Sequence, residues 1–116
     1  MGNYAETRIA IDDWREMIVL AIFEVSQIEN PSIEQIKDYE IYRSLVPDLI
    51  KKYNGKYLIR GGNAQSLEGV LPAARWHVIE FESVDAVNEF WQSDEYQSIK
   101  GLRAGVVSVR AVIVSG

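Results

Sequence analysis

The residues best suited to chemistry are an arginine and a glutamate on two neighbouring stretches of strand-like sequence. Arg60 lies in the first stretch and Glu80 in the second, with a turn near residue 71 between them. An antiparallel hairpin with that turn places Arg60 opposite the region from Glu80 to Glu82. The pair is then either a cross-strand ion pair that stabilises the sheet or a ligand site. In a ligand site, the planar guanidinium of Arg60 binds a carboxylate or phosphate and Glu80 orients that guanidinium.

His77, the only histidine in the sequence, lies on the second strand-like stretch and shares a face with Ile79 and Phe81. A lone histidine at such a position is more often a packed or surface residue than a catalyst. As a general base it needs a proton-bearing substrate within reach and a pKa near the working pH. His77 and Glu80 are therefore the catalytic candidates, with a structural role for His77 as the alternative.

Aromatic side chains and one further arginine are candidates for lining a ligand cleft. Such aromatic residues usually pack in the core or in a dimer contact, but their hydroxyl and indole groups also suit a small cyclic or acyl ligand. Arg103 lies late in the second predicted helix, where it either favours the helix dipole or points into the cleft. The ligand-binding candidates are thus Arg60, Tyr39, Trp91, Tyr96 and Arg103, with Tyr57 as a further aromatic candidate.

Composition excludes several classes of protein. The 116 residues are enough for one domain, and a net charge of -5 disfavours nucleic-acid binding. With no cysteine and one histidine, we predict no metal site and no cofactor. The lack of cysteine also fits a cytoplasmic protein. The apolar run 17–25 is far shorter than the ~20 residues of a membrane-spanning helix, so no membrane span is predicted.

The first half of the chain predicts an extension, a strand and a helix. Residues 1–16 are either a flexible arm or an arm that docks on its own or a neighbouring subunit through Ile9, Ile11 and Trp14, and a single domain spans 17–116. Residues 17–25 form a strand that is apolar on both faces. The next helix is capped either by Asn30 or by Ser32 with Gln35. Pro47 is expected to kink or restart that helix, and Asn54-Gly55 to end it with Gly55 in the left-handed conformation.

The second half predicts strands over 56–67, 75–82 and 106–114, with a glycine bulge at Gly61-Gly62 in the first. Ser83 caps a helix over 84–92. Ser93 provides a second N-cap after that segment, and Gly105 ends the helical region. The order β-α-β-β-α-β is the α+β, ferredoxin-like arrangement, an antiparallel four-stranded sheet with two helices on one face. Because the first strand is apolar on both faces, the open sheet face is predicted to be covered by a second copy, which makes a homodimer.

Several short segments, in this order and spacing, carry a family resemblance: residues 53–58, Arg60-Gly61-Gly62, 67–69, 78–81, 90–96 and 114–116. From about residue 17 onward the chain resembles the domain of unknown function 1330 family, within the dimeric α+β barrel superfamily. The resemblance implies two sheets that face each other across a dimer, and a cleft between sheet and helices. Asn54 stands where a first glycine is usual, and Trp91 where tyrosine is common.

Two functions fit these features. In the first, the cleft binds a small anionic or aromatic molecule, either as a binding protein or as a cofactor-independent enzyme. Arg60 then holds an anionic group, His77 or Glu80 moves a proton, and Trp91 and Tyr96 pack the ligand. In the second, the protein is a non-catalytic dimeric module that senses or stores a metabolite or scaffolds a partner. The sequence indicates neither a substrate nor a reaction.

Overall fold

The computed structural model describes residues 18–116. The predicted extension 1–16, with Ile9, Ile11 and Trp14, lies outside the described residues. Within them the chain forms four strands, three α-helices and one short 3-10 turn. The strands are β1 (Val19–Gln27), β2 (Lys56–Gly62), β3 (Arg75–Phe81) and β4 (Val107–Ser115). The helices are α1 (Ile33–Lys52), α2 (Val84–Gln92) and α3 (Asp94–Lys100), and the 3-10 turn is Gly101–Arg103.

The four strands form one antiparallel sheet in the order β2-β3-β1-β4. Ala21 of β1 lies opposite Ile79 of β3 on one side and Ile113 of β4 on the other, so these side chains share a face. The helices pack against this face. The α+β, ferredoxin-like prediction is therefore confirmed, with three helices rather than two. The buried core consists of Val19, Ala21, Ile50, Ile79, Phe81, Val87, Phe90 and Tyr96.

The additional helix arises because Ser93 both ends α2 and begins α3. Its Oγ donates to the carbonyl oxygen of Phe90 at 2.7 Å and accepts from the backbone N–H of Tyr96 at 3.1 Å. One side chain therefore serves a carbonyl group at the end of α2 and an N–H group at the start of α3, both of which lack helical partners. The predicted second cap at Ser93 is confirmed, and it is this cap that brings Tyr96 into the core.

Helix α1 begins with the capping box predicted as the second alternative. The N–H of Gln35 donates to Oγ of Ser32 at 3.1 Å, and the N–H of Ser32 donates to Oε1 of Gln35 at 2.8 Å. The helix continues unbroken through Pro47, so the predicted restart does not occur. Proline has no N–H, and the carbonyl oxygen of Arg43 consequently lacks its usual helical donor.

At the end of α1, the residue that adopts the left-handed conformation is not the predicted one. Asn54, not Gly55, adopts the left-handed conformation, with φ of 61°. Asparagine tolerates this region better than most other residues with a Cβ atom. Gly55 is needed for a different reason. A Cβ atom there would lie 2.7 Å from Cγ2 of Ile50 and 2.8 Å from the ring of Phe81.

Strand β2 ends at Gly62, five residues earlier than predicted, but the bulge is present. Gly61 has φ of 68°, and the register shifts between Arg60 and Gly62. A second shift lies between residues 57 and 59. Arg60 lies opposite His77, whereas Glu80 lies opposite Lys56. The predicted pairing of Arg60 with Glu80 is wrong because the hairpin is centred at about residue 69, midway between Arg60 and His77, rather than near residue 71. Each register shift moves the pairing by only one residue.

The other side of the sheet, which we call the open face, carries no helix within residues 18–116. Glu24 and Arg110 form a bidentate ion pair there, with two N–O distances of 2.8 Å, and Glu24 is only 7% exposed. Separately, none of the described helices is long and apolar enough to cross a membrane. By strand alternation, the apolar members of the open face are Ile18, Leu20, Ile22, Trp76, Val78, Val112 and Val114.

Candidate functional site

A cleft lies between α1 and the helix-covered face of the sheet. Its volume is about 260 Å³, and its apolar lining includes Phe23, Ile50, Ile79 and Phe90. The polar lining has an unusual balance, with three arginines, one histidine, four tyrosines and no carboxylate residue. In a chain with a net charge of -5, the cleft is therefore a local concentration of positive charge. These polar residues are Tyr39, Tyr42, Arg43, Tyr57, Arg60, His77, Tyr96 and Arg103.

The bulge of β2 fixes the protonation pattern of His77. The backbone N–H of Gly61 donates to Nδ1 of His77 at 3.0 Å. In the neutral imidazole the proton must then lie on Nε2. Burial, followed by the charges of Arg60 and Arg43, lowers the pKa of His77. At neutral pH the ring is thus a neutral hydrogen-bond donor through Nε2.

Two tyrosines from different helices join across the cleft. The hydroxyl oxygens of Tyr42 in α1 and Tyr96 in α3 lie 2.8 Å apart, and either can be the donor. Tyr96 is 1% exposed. Burial, reinforced by Tyr96, raises the pKa of Tyr42, and burial likewise raises the pKa of Tyr57. Both phenols therefore stay protonated at neutral pH and act as hydrogen-bonding groups rather than bases.

Each cleft arginine lies close to a tyrosine ring rather than beside a carboxylate. The guanidinium carbon of Arg60 is 5.2 Å from the ring centroid of Tyr57. The corresponding distances are 5.8 Å from Arg43 to Tyr39 and 5.9 Å from Arg103 to Tyr42. The salt bridges found within residues 18–116 join Lys52 to Glu95 and Arg110 to Glu24, and neither reaches the cleft.

Arg103 differs from the other two because it is partly withdrawn from solvent. Its Nε is buried and has no hydrogen-bond partner within the described part of the chain. Arg43 and Arg60 are exposed. A buried N–H without an acceptor is unfavourable by about 1–3 kcal/mol. An acceptor brought by a ligand would remove that penalty.

The cleft brings together most of the site residues predicted from sequence. Arg60, His77, Tyr39, Tyr96 and Arg103 line it, as does Tyr57. Two predicted residues lie elsewhere. Glu80 is on the open face, opposite Leu20 and Lys56. Trp91 packs beside the cleft, 5.1 Å from the ring of Tyr96 and 6.1 Å from that of Phe23, with Nζ of Lys100 4.6 Å from its own ring.

Tyr42 and Arg43 line the cleft but were not predicted as site residues. Residues three and four positions apart share a helix face, so both belong on the face of Tyr39. That spacing, joined to the prediction of Tyr39, is the signal that could have found them. No group of three His, Cys, Asp or Glu residues in the described chain is placed to hold a metal ion.

Residues 21–116 match the model of a family described as a domain of unknown function (DUF1330). The chain belongs to this family. The match covers most of the chain and every strand and helix of the fold except the first two residues of β1. The resemblance seen in the sequence is thereby confirmed. None of the curated proteins compared with this chain matches it.

Solved structures similar to this one share the fold at low sequence identity. A protein of unknown function from Rhodopseudomonas palustris has a TM-score of 0.67 at 18% identity, over 97% of this chain and 90% of that one. An Arabidopsis thaliana protein has a TM-score of 0.56 at 17% identity, over 84% and 92%. A Bacteroides fragilis protein, described as dimeric, of unknown function and of ferredoxin-like fold, has a TM-score of 0.58 at 13% identity, over 88% and 98%.

Proposed function

We propose that the protein binds a small organic anion in the cleft between α1 and the sheet. The observation that carries this proposal is the presence of three arginines in the cleft lining with no carboxylate among them. A half-buried positive charge, such as that of Arg103, is normally paired. A bound carboxylate would supply the missing pairing, and the planar guanidinium matches its geometry.

The remaining lining supports a ligand with an apolar body. Phe23, Ile79 and Phe90 offer apolar surface, while Tyr42, Tyr96 and Nε2 of His77 offer hydrogen bonds. The volume of about 260 Å³ lies just below the usual range of ligand pockets, roughly 300–1,000 Å³. These features favour a small aromatic or acyl acid over a nucleotide or a larger cofactor.

An enzymatic role would rest on stabilising negative charge rather than on a strong base. Nδ1 of His77 already accepts a hydrogen bond and Nε2 carries the proton, so neither nitrogen has a free lone pair. Glu80 is on the opposite face and cannot act as a base in the cleft. Arginines and a neutral imidazole donor suit an oxyanion that develops on the substrate. Binding without turnover would favour the alternative, a non-catalytic module that senses or stores the ligand.

The test is calorimetric titration of the full chain with benzoate and hexanoate, two small acids with different apolar bodies. Arg43→Gln should weaken binding about tenfold, as expected for the loss of one charged hydrogen bond. Lys37→Gln is the matched control, since it removes one positive charge from an exposed position of the same helix outside the cleft. Equal affinities in the two variants, or no binding of either acid to the unaltered protein, would contradict the proposal.

We also propose that the protein is a homodimer formed through the open face. Two observations support this: the open face carries large apolar side chains, with Val112 at 55% exposed, and the similar Bacteroides fragilis protein is described as dimeric. A stable interface buries about 800 Å² on each partner, and the apolar residues of β1, β3 and β4 form a continuous surface on this sheet face. The cytoplasmic location remains a prediction.

Light scattering coupled to size exclusion tests the dimer. Val112→Lys should convert it to a monomer, because a charge would be buried against the second sheet. Ile41→Lys is the matched control, since Ile41 is 50% exposed on α1, away from the open face. A monomeric unaltered protein at micromolar concentration, or equal dissociation by both variants, would argue against this interface.

A further inference from the structure

We infer that the ligand is a dicarboxylate, held at one acidic group by Arg43 and Arg60 and at the other by Arg103. This deepens the proposed function and rests on it. The inference starts from the placement of the three cleft arginines, which come from three separate elements: α1, β2 and the 3-10 turn before β4. Two of them also line a depression outside the cleft, and the third does not.

Arg43 and Arg60 lie at the outer end. Besides lining the cleft, they line the open depression that continues from it towards the loop between β2 and β3, together with Asn63, Pro72 and Arg75. Both side chains are exposed, and both act electrostatically on His77. The outer end therefore consists of two solvent-accessible guanidinium groups beside the Nε2–H donor.

Arg103 lies at the inner end. It lines the cleft but not the outer depression, and the same is true of Tyr42 and Tyr96. Its guanidinium carbon is 5.9 Å from the ring centroid of Tyr42, and its buried Nε has no partner within residues 18–116. The inner end thus holds a second cation, an unused N–H and the Tyr42–Tyr96 hydroxyl pair.

A single carboxylate placed between Arg43 and Arg60 at the outer end leaves Arg103 at the inner end unpaired. If it lies between Arg43 and Arg60, the buried Nε of Arg103 keeps its unmet hydrogen bond, which is unfavourable in a low-dielectric site. A second carboxylate at the inner end removes this penalty and neutralises the third positive charge. Phe23, Ile79 and Phe90 line the same cleft and suit the hydrocarbon that joins the two acidic groups.

The experiment compares acids that share one hydrocarbon body and differ by one carboxylate. Benzoate is paired with isophthalate and terephthalate, and hexanoate with adipate, so that both rigid and flexible spacings are sampled. Calorimetry on the full chain should show at least one diacid binding about tenfold or more tightly than its monoacid. Arg103→Gln should reduce this advantage to less than about twofold.

Arg103→Lys serves as the second variant, because it keeps the charge at the inner end and lacks the guanidinium Nε. It should retain part of the diacid advantage, with circular dichroism used to verify that both variants are folded. Monoacids that bind as tightly as every diacid, or a diacid advantage that persists in Arg103→Gln, would overturn the inference and leave anion binding intact. Failure of all five acids to bind would overturn the proposed function as well.

Discussion

The backbone N–H of Gly61 donates a hydrogen bond to Nδ1 of His77 across the β2–β3 pair, at 3.0 Å. This bond links a glycine bulge, a feature of backbone geometry, to the protonation pattern of the only histidine in the chain. It makes the imidazole a donor and occupies the nitrogen that would otherwise accept a proton. The bond therefore bears on what the cleft can do chemically.

His77 should be the neutral Nε2–H tautomer at pH 7.5. Because it is the only histidine, ¹⁵N-correlated NMR of the imidazole gives one unambiguous set of signals, which also reports its pKa. Burial and the neighbouring Arg60 and Arg43 should lower that pKa below the usual value of about 6.5. A proton on Nδ1, or a raised pKa, would contradict the geometry.

Stability should fall as pH decreases from about 6.5. The pKa of His77 is lower in the folded than in the unfolded chain, so the unfolded chain takes up the proton first. The contribution of His77 to the free energy of unfolding is fully present above its pKa in the unfolded chain. It is lost as pH falls through its pKa in the folded chain. Thermal unfolding between pH 5 and 7.5 should show a shallower pH dependence in His77→Gln. Parallel curves for the unaltered protein and His77→Gln would show that His77 does not cause the pH dependence.

Gly61→Ala should destabilise the fold by about 1–2 kcal/mol, because Gly61 has φ of 68°, in the left-handed region. A Cβ atom there would meet nothing within 4 Å, so the penalty is conformational and not steric. Gly101→Ala is the matched control. It also has open space, but its φ is -65°, and alanine there should be neutral or slightly stabilising. Urea denaturation would measure both, and equal effects would exclude backbone strain as the cause.

Tyr42→Phe should cost about 1–3 kcal/mol, because it leaves the hydroxyl of the buried Tyr96 without its 2.8 Å partner. Removing both hydroxyls, in Tyr42→Phe with Tyr96→Phe, should cost less than the sum of the single changes. A double-mutant cycle by chemical denaturation tests this. Additive effects would mean that the two hydroxyls are not coupled.

Arg110→Gln should destabilise the protein more than Lys56→Gln, although each removes one positive charge. Arg110 pairs with Glu24, which is 7% exposed on the open face, and it holds the pKa of that carboxyl below its usual range. Glu24 thus contributes stability above its unfolded pKa, and this contribution is lost as pH falls through the lower folded pKa. Thermal melts at pH 7 and pH 3 should show the difference between the two variants narrowing at pH 3. A constant difference would argue that the carboxylate is not involved.

The elements that sequence predicted well are those governed by local signals. Ser32, Ser83 and Ser93 accept from N–H groups three residues on, a spacing that is visible in the chain itself. The alternation in β1 likewise identified a strand with two apolar faces. These features require no knowledge of distant contacts, and they sufficed for the order of elements and the ferredoxin-like fold.

The parts that were missed depend on non-local geometry. The β2–β3 hairpin is centred about two residues earlier than predicted, so Arg60 lies opposite His77 and not in the region of Glu80. Nothing in the sequence sets the centre of a connection as long as residues 63–74. Trp91 was expected in the cleft, but it packs against Tyr96, and the position of α2 decides which aromatic lines the cavity. The spacing of Tyr42 and Arg43 from Tyr39 shows that the three residues share a helix face. It does not show that this face covers the cleft.

Pro47 sits within α1 and also lines the cleft. A helix that lacks one backbone hydrogen bond bends more easily at that point than elsewhere. The carbonyl freed by Pro47 belongs to Arg43, so the weak point of α1 lies within the stretch that carries Tyr39, Tyr42 and Arg43. That wall of the cleft is therefore mechanically compliant, whereas the sheet opposite is held by ladders of strand pairing. If the cleft binds ligands as proposed, bending of this one helix would accommodate ligands of slightly different width without any change in the sheet.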